Sequence, residues 1–443
     1  MKKQDQNNAS RRDFVINSSL MAGGLMTAPL LSKANFFSGA EDTIKVAVVG
    51  CGGRGTGAAM QALSSKQNVK IVALCDAFKD NVDNCHKELT EEINNSIGEL
   101  AKRLDVPEER KFTGFDGYKK AIALADVVIL ATPPGFRPIH FEEAINQGKH
   151  VFMEKPVATD PAGVQKVLAT AAIAKQKKLN VVVGLQRHYQ NSYRELFKRK
   201  DLIGDITSMQ AWWDNDGVWT RPRKAGQTEM EYQMRNWYYF NWLCGDHITE
   251  QHIHNLDVIN WFKGSYPVKA QGFGGRQVRT SKEHGEIFDH HFVEFEYADG
   301  SILNSQCRHM PGTMSRVDEL LIGTKGRIAC GAAHIKDHSG KIIYQYDTKK
   351  ENNPYQTEHD ELFAAIAKGE YKFADAENGA KSTMTSILGR MATYSGQMVY
   401  WDKAIHSGID IHPKVYAWDA TPPVVPNADG SYPIAIPGIT KYS

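Results

Sequence analysis

The hexapeptide Gly50-Cys51-Gly52-Gly53-Arg54-Gly55 follows a mostly apolar run, Ile44 to Val49, and opens an Ala/Met-rich helical stretch. A strand that enters a helix through G-x-G-x-x-G admits few folds. The first glycine turns the chain sharply, the second lets backbone approach a pyrophosphate, and the third lets helix pack on strand. Anionic charge then rests on the helix N-terminus. A second β-like run, Lys70 to Leu74, leads to Asp76, 26 residues after Gly50. That is near the spacing at which a carboxylate receives adenosine ribose hydroxyls. A carboxylate there repels a 2'-phosphate, so NAD is expected in preference to NADP.

Downstream, strand and helix patterns alternate. A long polar, helix-prone stretch runs to about Arg103, Phe112 to Tyr118 reads as a short strand and turn, and Tyr118 to Ala125 as a helix. Asp126 to Ala131 is continuously apolar after its first residue, as buried parallel strands are, and it ends in Thr132-Pro133-Pro134. A helix over Arg137 to Gln147 stops at Gly148, strand Lys149 to Met153 leads into Glu154-Lys155-Pro156, and a further helix and a strand over Asn180 to Gly184 follow. The pattern predicts an α/β chain with a doubly wound parallel sheet, a Rossmann domain over residues 41–185. Ligands sit beyond the carboxyl ends of such strands, so the three loops should converge.

Beyond Leu185 the pattern changes. Met209 to Asp214, Val268 to Phe273, His290 to Tyr297, Ser301 to His309 and Glu319 to Gly323 read as strands, with a hairpin turn at Ala298-Asp299-Gly300. Thr357 to Lys368 and Ala376 to Val399 read as helices. The expectation for residues 186–443 is an α+β domain with a large, mainly antiparallel sheet, and a Pro-rich tail over 412–443 that wraps the surface.

Residues 1–40 are set apart from the fold. Ser10-Arg11-Arg12-Asp13-Phe14-Val15 precedes a mildly apolar segment to Leu31, the form of a twin-arginine export signal. Asn17, Ser18 and Ser19 interrupt that segment, which makes it a poor transmembrane anchor. A periplasmic protein exported already folded is expected, and that route suits one that loads a nucleotide before export. Lys and Arg total 53 against 51 Asp and Glu, a net charge of +2 that does not point to nucleic acid or an anionic membrane. Six cysteines show no C-x-x-C and no metal-like spacing.

Strand–GCGGRG–helix, Thr132-Pro133-Pro134, Glu154-Lys155-Pro156 and a second mixed sheet together resemble the glucose–fructose oxidoreductase / inositol dehydrogenase / MocA (Gfo/Idh/MocA) family, from about Thr43 to about Ile405. Glu154-Lys155-Pro156 is the most specific short motif. Gly184 to Tyr189 is similar to the family's domain-crossing segment, and Thr324-Lys325-Gly326 and the helix after Glu358-His359 are also family-like. The resemblance implies a nicotinamide-dependent dehydrogenase acting on a sugar or polyol, and a homo-oligomer (dimer or tetramer) built through the open sheet. It also implies a cis Lys155–Pro156 peptide. Cofactor contacts are expected from Gly50, Gly52, Gly53, Arg54, Gly55, Asp76, Thr132, Pro133, Glu154, Lys155 and Gln186.

Oxidation of a secondary alcohol needs the hydroxyl proton removed while hydride leaves the carbon. A cation beside the oxygen stabilises developing alkoxide, and a base takes the proton. Lys155 suits the first role. The base is sought in Gly245 to Trp261, where Glu250, His254 and Asp257 fall within roughly 60° of one face of a continuous helix. In the family the matching segment carries Asp-x-x-x-His, with the histidine as base. Here Glu250 takes the aspartate's place and His254 keeps the histidine's, with a pKa expected near neutrality. His252 reads as structural. An alternative is a divalent metal on His247, Glu250 and His254, although the family usually needs none.

Substrate contacts are expected from Arg187, Trp213, Asp214, Arg235, Tyr238 and Asp257, because pyranose rings pair apolar C–H faces with hydroxyl rims. Trp212 and Trp237 equally suit a core, and Arg187 and Arg235 either bind an acid group or pair with local carboxylates. These features favour an exported oxidoreductase for a sugar or glycoside hydroxyl, with oxidation at a ring carbon such as C3 as one such chemistry, and with tightly held, recycled cofactor. A glycosidase using NAD transiently for oxidation and elimination, and a non-catalytic sugar-binding relative, are the alternatives.

Overall fold

The computed structural model describes residues 43–95 and 100–441; the Arg11-Arg12 leader lies outside the described residues. Six strands, β1 (Ile44–Val49), β2 (Val69–Asp76), β3 (Lys111–Thr113), β4 (Val127–Leu130), β5 (His150–Met153) and β6 (Val181–Val183), form one sheet in the order β3-β2-β1-β4-β5-β6. Every pairing in it is parallel. The strand sequences explain this: all four residues of β4 and all of β6 are buried, so both faces must be covered. Helices α1 (Gly53–Leu63), α2 (Lys79–Asn95), α3 (Gly117–Ala123), α4 (Arg137–Asn146) and α5 (Pro161–Gln176) supply that cover. Asp160 caps α5, accepting from the Gly163 amide at 2.7 Å, with Pro161 at the first helical position. The order reverses between β1 and β4, which sets a ligand crevice beyond their carboxyl ends.

Nine strands build the second sheet: β7 (Ile206–Asn215), β8 (Lys269–Gly275), β9 (His290–Glu296), β10 (Ile302–His309), β11 (Arg316–Gly323), β12 (Gly326–Ala329), β13 (His334–Asp337), β14 (Ile342–Gln345) and β15 (Val399–Tyr400). Their order is β14-β13-β12-β11-β7-β10-β9-β8-β15. The central β7–β10 pair is parallel, a departure from uniformly antiparallel pairing. Some ninety residues of insertion, helices and hairpin separate these strands, long enough for a crossover. β12 to β14 were not legible in the sequence, because β14 is mostly exposed and carries no alternating pattern.

β9 and β10 alternate buried and half-buried positions. The buried face packs under α6 (His247–Glu250), α7 (Ile253–Lys263) and, after α8 (Pro354–Ala367), the long α9 (Ala376–Ser395). α9 also packs on α5, and one apolar core runs from Val128 and Met153 through Met384 and Ile387 to Val293 and Phe295. α8 returns to pack on α1, burying Leu362 and Phe363 against the nucleotide-fold side.

The tail runs back over the parallel sheet's mouth. Tyr416 and Trp418 pack on Phe115, and Trp418 also on Phe78. His412 fastens it, with Nδ1 3.0 Å from Asp160 and 3.1 Å from Asp410, and Nε2 3.2 Å from the Thr159 hydroxyl. Burial alone would lower the His412 pKa, but the Asp160 and Asp410 carboxylates outweigh it and raise it. A raised histidine pKa gives stability that is complete below the unfolded value of about 6.5 and lost as pH rises through the folded one. Protease cleavage within the tail should therefore accelerate as pH rises above neutrality, and His412→Ala should remove that dependence. Cleavage that ignores pH in the wild-type chain would disprove the lock.

Candidate active site

The glycine loop is built by close approach. Gly50 has φ +100°, and a Cβ there would lie 2.4 Å from the Ala131 carbonyl carbon. A Cβ on Gly55 would lie 1.8 Å from the Gly50 oxygen. Around Gly52 and Gly53, by contrast, nothing lies within 4 Å of an added Cβ. The space they leave opens into a cleft of about 390 Å³ lined by Gly50, Gly52, Gly53, Arg54, Asp76, Thr132 and Pro133, a size that suits a small-molecule ligand. Asp76 accepts from the Cys51 amide at 2.8 Å, the Phe78 amide at 2.9 Å and Asn81 at 3.0 Å. Burial raises its pKa against those bonds. Trp219, Arg221 and Trp237 wall the cleft from the second domain; no periodic signal in the sequence marked Trp219 or Arg221.

Arg54 is committed elsewhere as well as to the cleft. Its guanidinium pairs with Glu154 and, at 3.4 Å, with Glu358, and sits over the Tyr355 ring. The Glu154 carboxylate is thereby held by Arg54 and backs onto Gly184, where a Cβ would come within 2.6 Å of it. Arg137, which the sequence reading passed over, joins two of the expected loops: it donates to the Glu154 carbonyl at 2.9 Å and the Thr132 carbonyl at 2.7 Å. Burial lowers its pKa to about 10. A lone arginine opening an otherwise apolar helical face after Thr132-Pro133-Pro134 was the available signal.

The peptide between Lys155 and Pro156 is cis. Lys155 donates through Nζ to the Glu250 carbonyl at 2.6 Å and to Glu250 Oε1 at 3.2 Å. Burial raises the Glu250 pKa, against the opposing Lys155 ammonium. His254 is buried and its Nδ1 has no hydrogen-bond partner. Its ring stacks on Trp213 with centroids 5.9 Å apart. The expected near-neutral titration is corrected: burial, then the charges of Lys155, Arg187 and Arg54, hold the imidazole far below its ordinary value. His254 is therefore a neutral proton acceptor at physiological pH.

The continuous helix expected over Gly245 to Trp261 is also corrected. It breaks at Gln251–His252 into α6 and α7, and the His252 amide reaches back five residues to the His247 carbonyl at 3.2 Å. Glu250 lies against Lys155, and the Lys155 charge acts on His254. Asp257 does not join them. Its carboxylate accepts from Ser382 at 2.7 Å and Asn378 at 3.0 Å and pairs with His188 at 2.7 Å, so it anchors α7 to α9 instead of facing a substrate. His252 is spent on Ser305 at 2.7 Å. The alternative metal set His247, Glu250 and His254 is not assembled, because Glu250 is bonded to Lys155.

Two further substrate assignments are corrected. Trp213 and Asp214 are consecutive on β7 and so face opposite sides of the sheet. Trp213 meets His254, whereas Asp214 sits on the outer side opposite Arg308 and Arg316, 3.4 Å from the Arg308 guanidinium. Arg235 forms a two-point pair with Asp80 at 2.8 and 2.9 Å and lies over Phe78. Trp212 lies under the Arg316 guanidinium on the sheet's outer side.

Buried polar atoms without hydrogen-bond partners include Glu250 Oε2 next to Lys155, His254 Nδ1 and Trp213 Nε1 on stacked rings, and, among the other expected ligand contacts, Gln186 Oε1, Arg187 Nε and Tyr238 OH. Each such atom costs about 1–3 kcal/mol when left unsatisfied. Buried donors and acceptors of this kind are what a polyhydroxylated ligand satisfies.

Residues 44–185 match the model of the Gfo/Idh/MocA oxidoreductase family, described as NAD-binding Rossmann fold. Among curated relatives, inositol 2-dehydrogenase of Ralstonia nicotianae is 28% identical over 58% of this chain and 65% of its own length. That of Gluconacetobacter diazotrophicus is 28% identical over 54% of this chain and 60% of its own. The chain thus spans under two thirds of the length of these relatives. In fold, scyllo-inositol dehydrogenase of Lactobacillus casei, solved with NAD(H) and scyllo-inositol, superposes with a TM-score of 0.59 at 21% identity, covering 82% of this chain and 100% of that one. Residues 44–185 are thus similar to the NAD-binding Rossmann domain of the Gfo/Idh/MocA oxidoreductase family, within a two-sheet fold like that of the solved structure.

Proposed function

We propose that this chain is an NAD-dependent oxidoreductase acting on a secondary hydroxyl of a sugar or glycoside, with C3 of a glycoside ring as the favoured carbinol. The observation that carries the reading is the Lys155–Glu250 pair set beside a neutral, partner-free His254. NAD, when bound, supplies the hydride acceptor. Gly52 and Gly53 leave its pyrophosphate room at the N-terminus of α1, and Asp76 receives ribose hydroxyls in preference to a 2'-phosphate. Glu250 holds the Lys155 ammonium beside the substrate oxygen, where it stabilises the developing alkoxide. His254 takes the hydroxyl proton, and the same residues run the reverse reduction. Trp213 offers a ring face and Tyr238 a hydroxyl to the sugar.

The protein is further proposed to be exported by its twin-arginine leader into the periplasm and to retain its cofactor, with the tail and Trp219 closing the cleft's mouth. A homo-oligomer through the outer side of the nine-stranded sheet completes the reading. Purification without added nucleotide, identification of what the protein carries, and nicotinamide absorbance with inositols, free sugars and glycosides test it. Reduction of NAD by a glycoside, faster than of NADP, is expected. Release of free sugar without a net absorbance change would favour a transient-oxidation glycosidase, and inertness toward every polyol would overturn the reading.

A further inference from the structure

Below the catalytic helices, at the end of the second sheet, lies a buried group that the hydride chemistry does not use. Asp246, His247, His291 and His309 are each at most 2% exposed. One ligand atom each from Asp246, His247 and His291 can be chosen so that all lie within 4.8 Å of one another. Asp246 Oδ1 is 2.8 Å from His247 Nδ1, and Asp246 Oδ2 is 3.3 Å from His291 Nε2.

The hydrogen bonding leaves this group short of partners. His247 Nε2 and His309 Nε2 have no hydrogen bond, and His247 Nδ1 and His291 Nε2 have no partner but the Asp246 carboxylate beside them. His291 uses its other nitrogen on the Thr393 hydroxyl at 2.9 Å, which orients Nε2 toward the group. Metal-bound imidazoles are usually held in this way from behind. The His309 ring stacks on that of His247 with centroids 4.4 Å apart. Asp246 accepts from the His247 amide, from the Phe288 amide at 3.0 Å and from the Tyr394 hydroxyl at 2.5 Å. A carboxylate has about four lone-pair sites, so an ion between Asp246 and the two imidazoles would take the place of their direct contacts with it. Asp246 also has φ +70°, a left-handed conformation uncommon for a residue other than glycine, which turns its side chain into the group.

We propose that Asp246, His247 and His291 bind one divalent transition-metal ion of the zinc class, with His309 as the fourth ligand. Two or three neutral imidazoles with one carboxylate suit zinc, cobalt or nickel, and disfavour the all-oxygen preference of magnesium and calcium. Tetrahedral ligands at about 2.0–2.1 Å from zinc stand roughly 3.3 Å apart, close to the separations Asp246 makes with His247 and His291; His309, outside that close group and stacked on His247, would have to turn its Nε2 inward. The ion ties the start of α6 to β9 and β10. Glu250 follows His247 by one helical turn, so the ion is a positioning element for the partner of Lys155 and touches neither substrate nor NAD.

The test uses the full-length protein expressed with added zinc and dialysed against metal-free buffer. Elemental analysis should find about one zinc per chain. Removal by a strong chelator should lower Tm, and Co²⁺ added to the stripped protein should restore Tm and give visible absorption bands of a low-symmetry cobalt site. His291→Asn and the milder His309→Gln should each reduce retained metal, the first to near zero. The second cluster among the described residues, Asp160, Asp410 and His412, provides the control. Asp410→Ala, at an exposed position, should leave the metal content unchanged. Loss of metal in Asp410→Ala with retention in His291→Asn would place the ion in the tail and overturn the proposal. So would a wild-type protein that retains no zinc and gives no cobalt bands.

Discussion

Lys155→Ala should lower kcat for alcohol oxidation by about 10²–10⁴-fold, the range that a positioned proton-transfer or charge-stabilising group supplies. The substitution removes the ammonium that lies 3.2 Å from Glu250 Oε1. It should lower NAD affinity far less than kcat, because the glycine loop and Asp76 are untouched. His254→Ala should cost a similar factor. The pH profile separates the two residues. With His254 held neutral by burial and by the charges of Lys155, Arg187 and Arg54, the acid limb of kcat/KM should fall well below the ordinary histidine value of about 6.5. Lys155→Ala removes one of those charges, so the limb should move toward higher pH in the residual activity. Steady-state rates and nucleotide titration of the two variants check this; a loss below tenfold in both would remove them from the chemistry.

The second large effect is expected in the glycine loop, where three substitutions should diverge. Gly55→Ala places a methyl 1.8 Å from the Gly50 oxygen, and Gly50→Ala meets backbone at 2.4 Å with φ +100°. Backbone cannot yield as a flexible side chain does, so each should cost about 1–3 kcal/mol or more, lower Tm and abolish nucleotide retention. Gly52→Ala meets nothing within 4 Å. Its Tm should stay at the wild-type value while NAD affinity falls at least tenfold (about 1.4 kcal/mol), because a pyrophosphate must occupy the space that the new methyl fills. Thermal unfolding and nucleotide titration of the three variants decide the matter. Full NAD affinity in Gly52→Ala would show that no dinucleotide passes there.

Among the described residues, the strands and helices from 43 to 185 were largely readable in one dimension. β1 was expected over Ile44 to Val49 and is found there; β4, β5 and α4 agree to within a residue or two at either end. Each of these elements is set by local signals: apolar runs, a C-terminal glycine, a proline or a cap. Asp76 and the glycines were legible because the turn they make is a matter of backbone sterics over a few residues.

The second half was decided by pairing at a distance. Nothing within β7 says that its neighbour is β10 in parallel, or that Asp214 faces Arg308 while Trp213 faces His254; strand alternation separates those two side chains only once the buried face is known. The helical wheel carried Asp257 along with Glu250 and His254, because a wheel gives a direction about the axis and not the neighbour met one turn further on, where Ser382, Asn378 and His188 take the Asp257 carboxylate. Arg137 and the His291–Asp246 contact were invisible because side chains on different elements become partners only when burial forces them to find one. Local backbone preference thus wrote the nucleotide fold into the sequence, whereas the desolvation of charged groups, which depends on every surrounding element at once, determined the site.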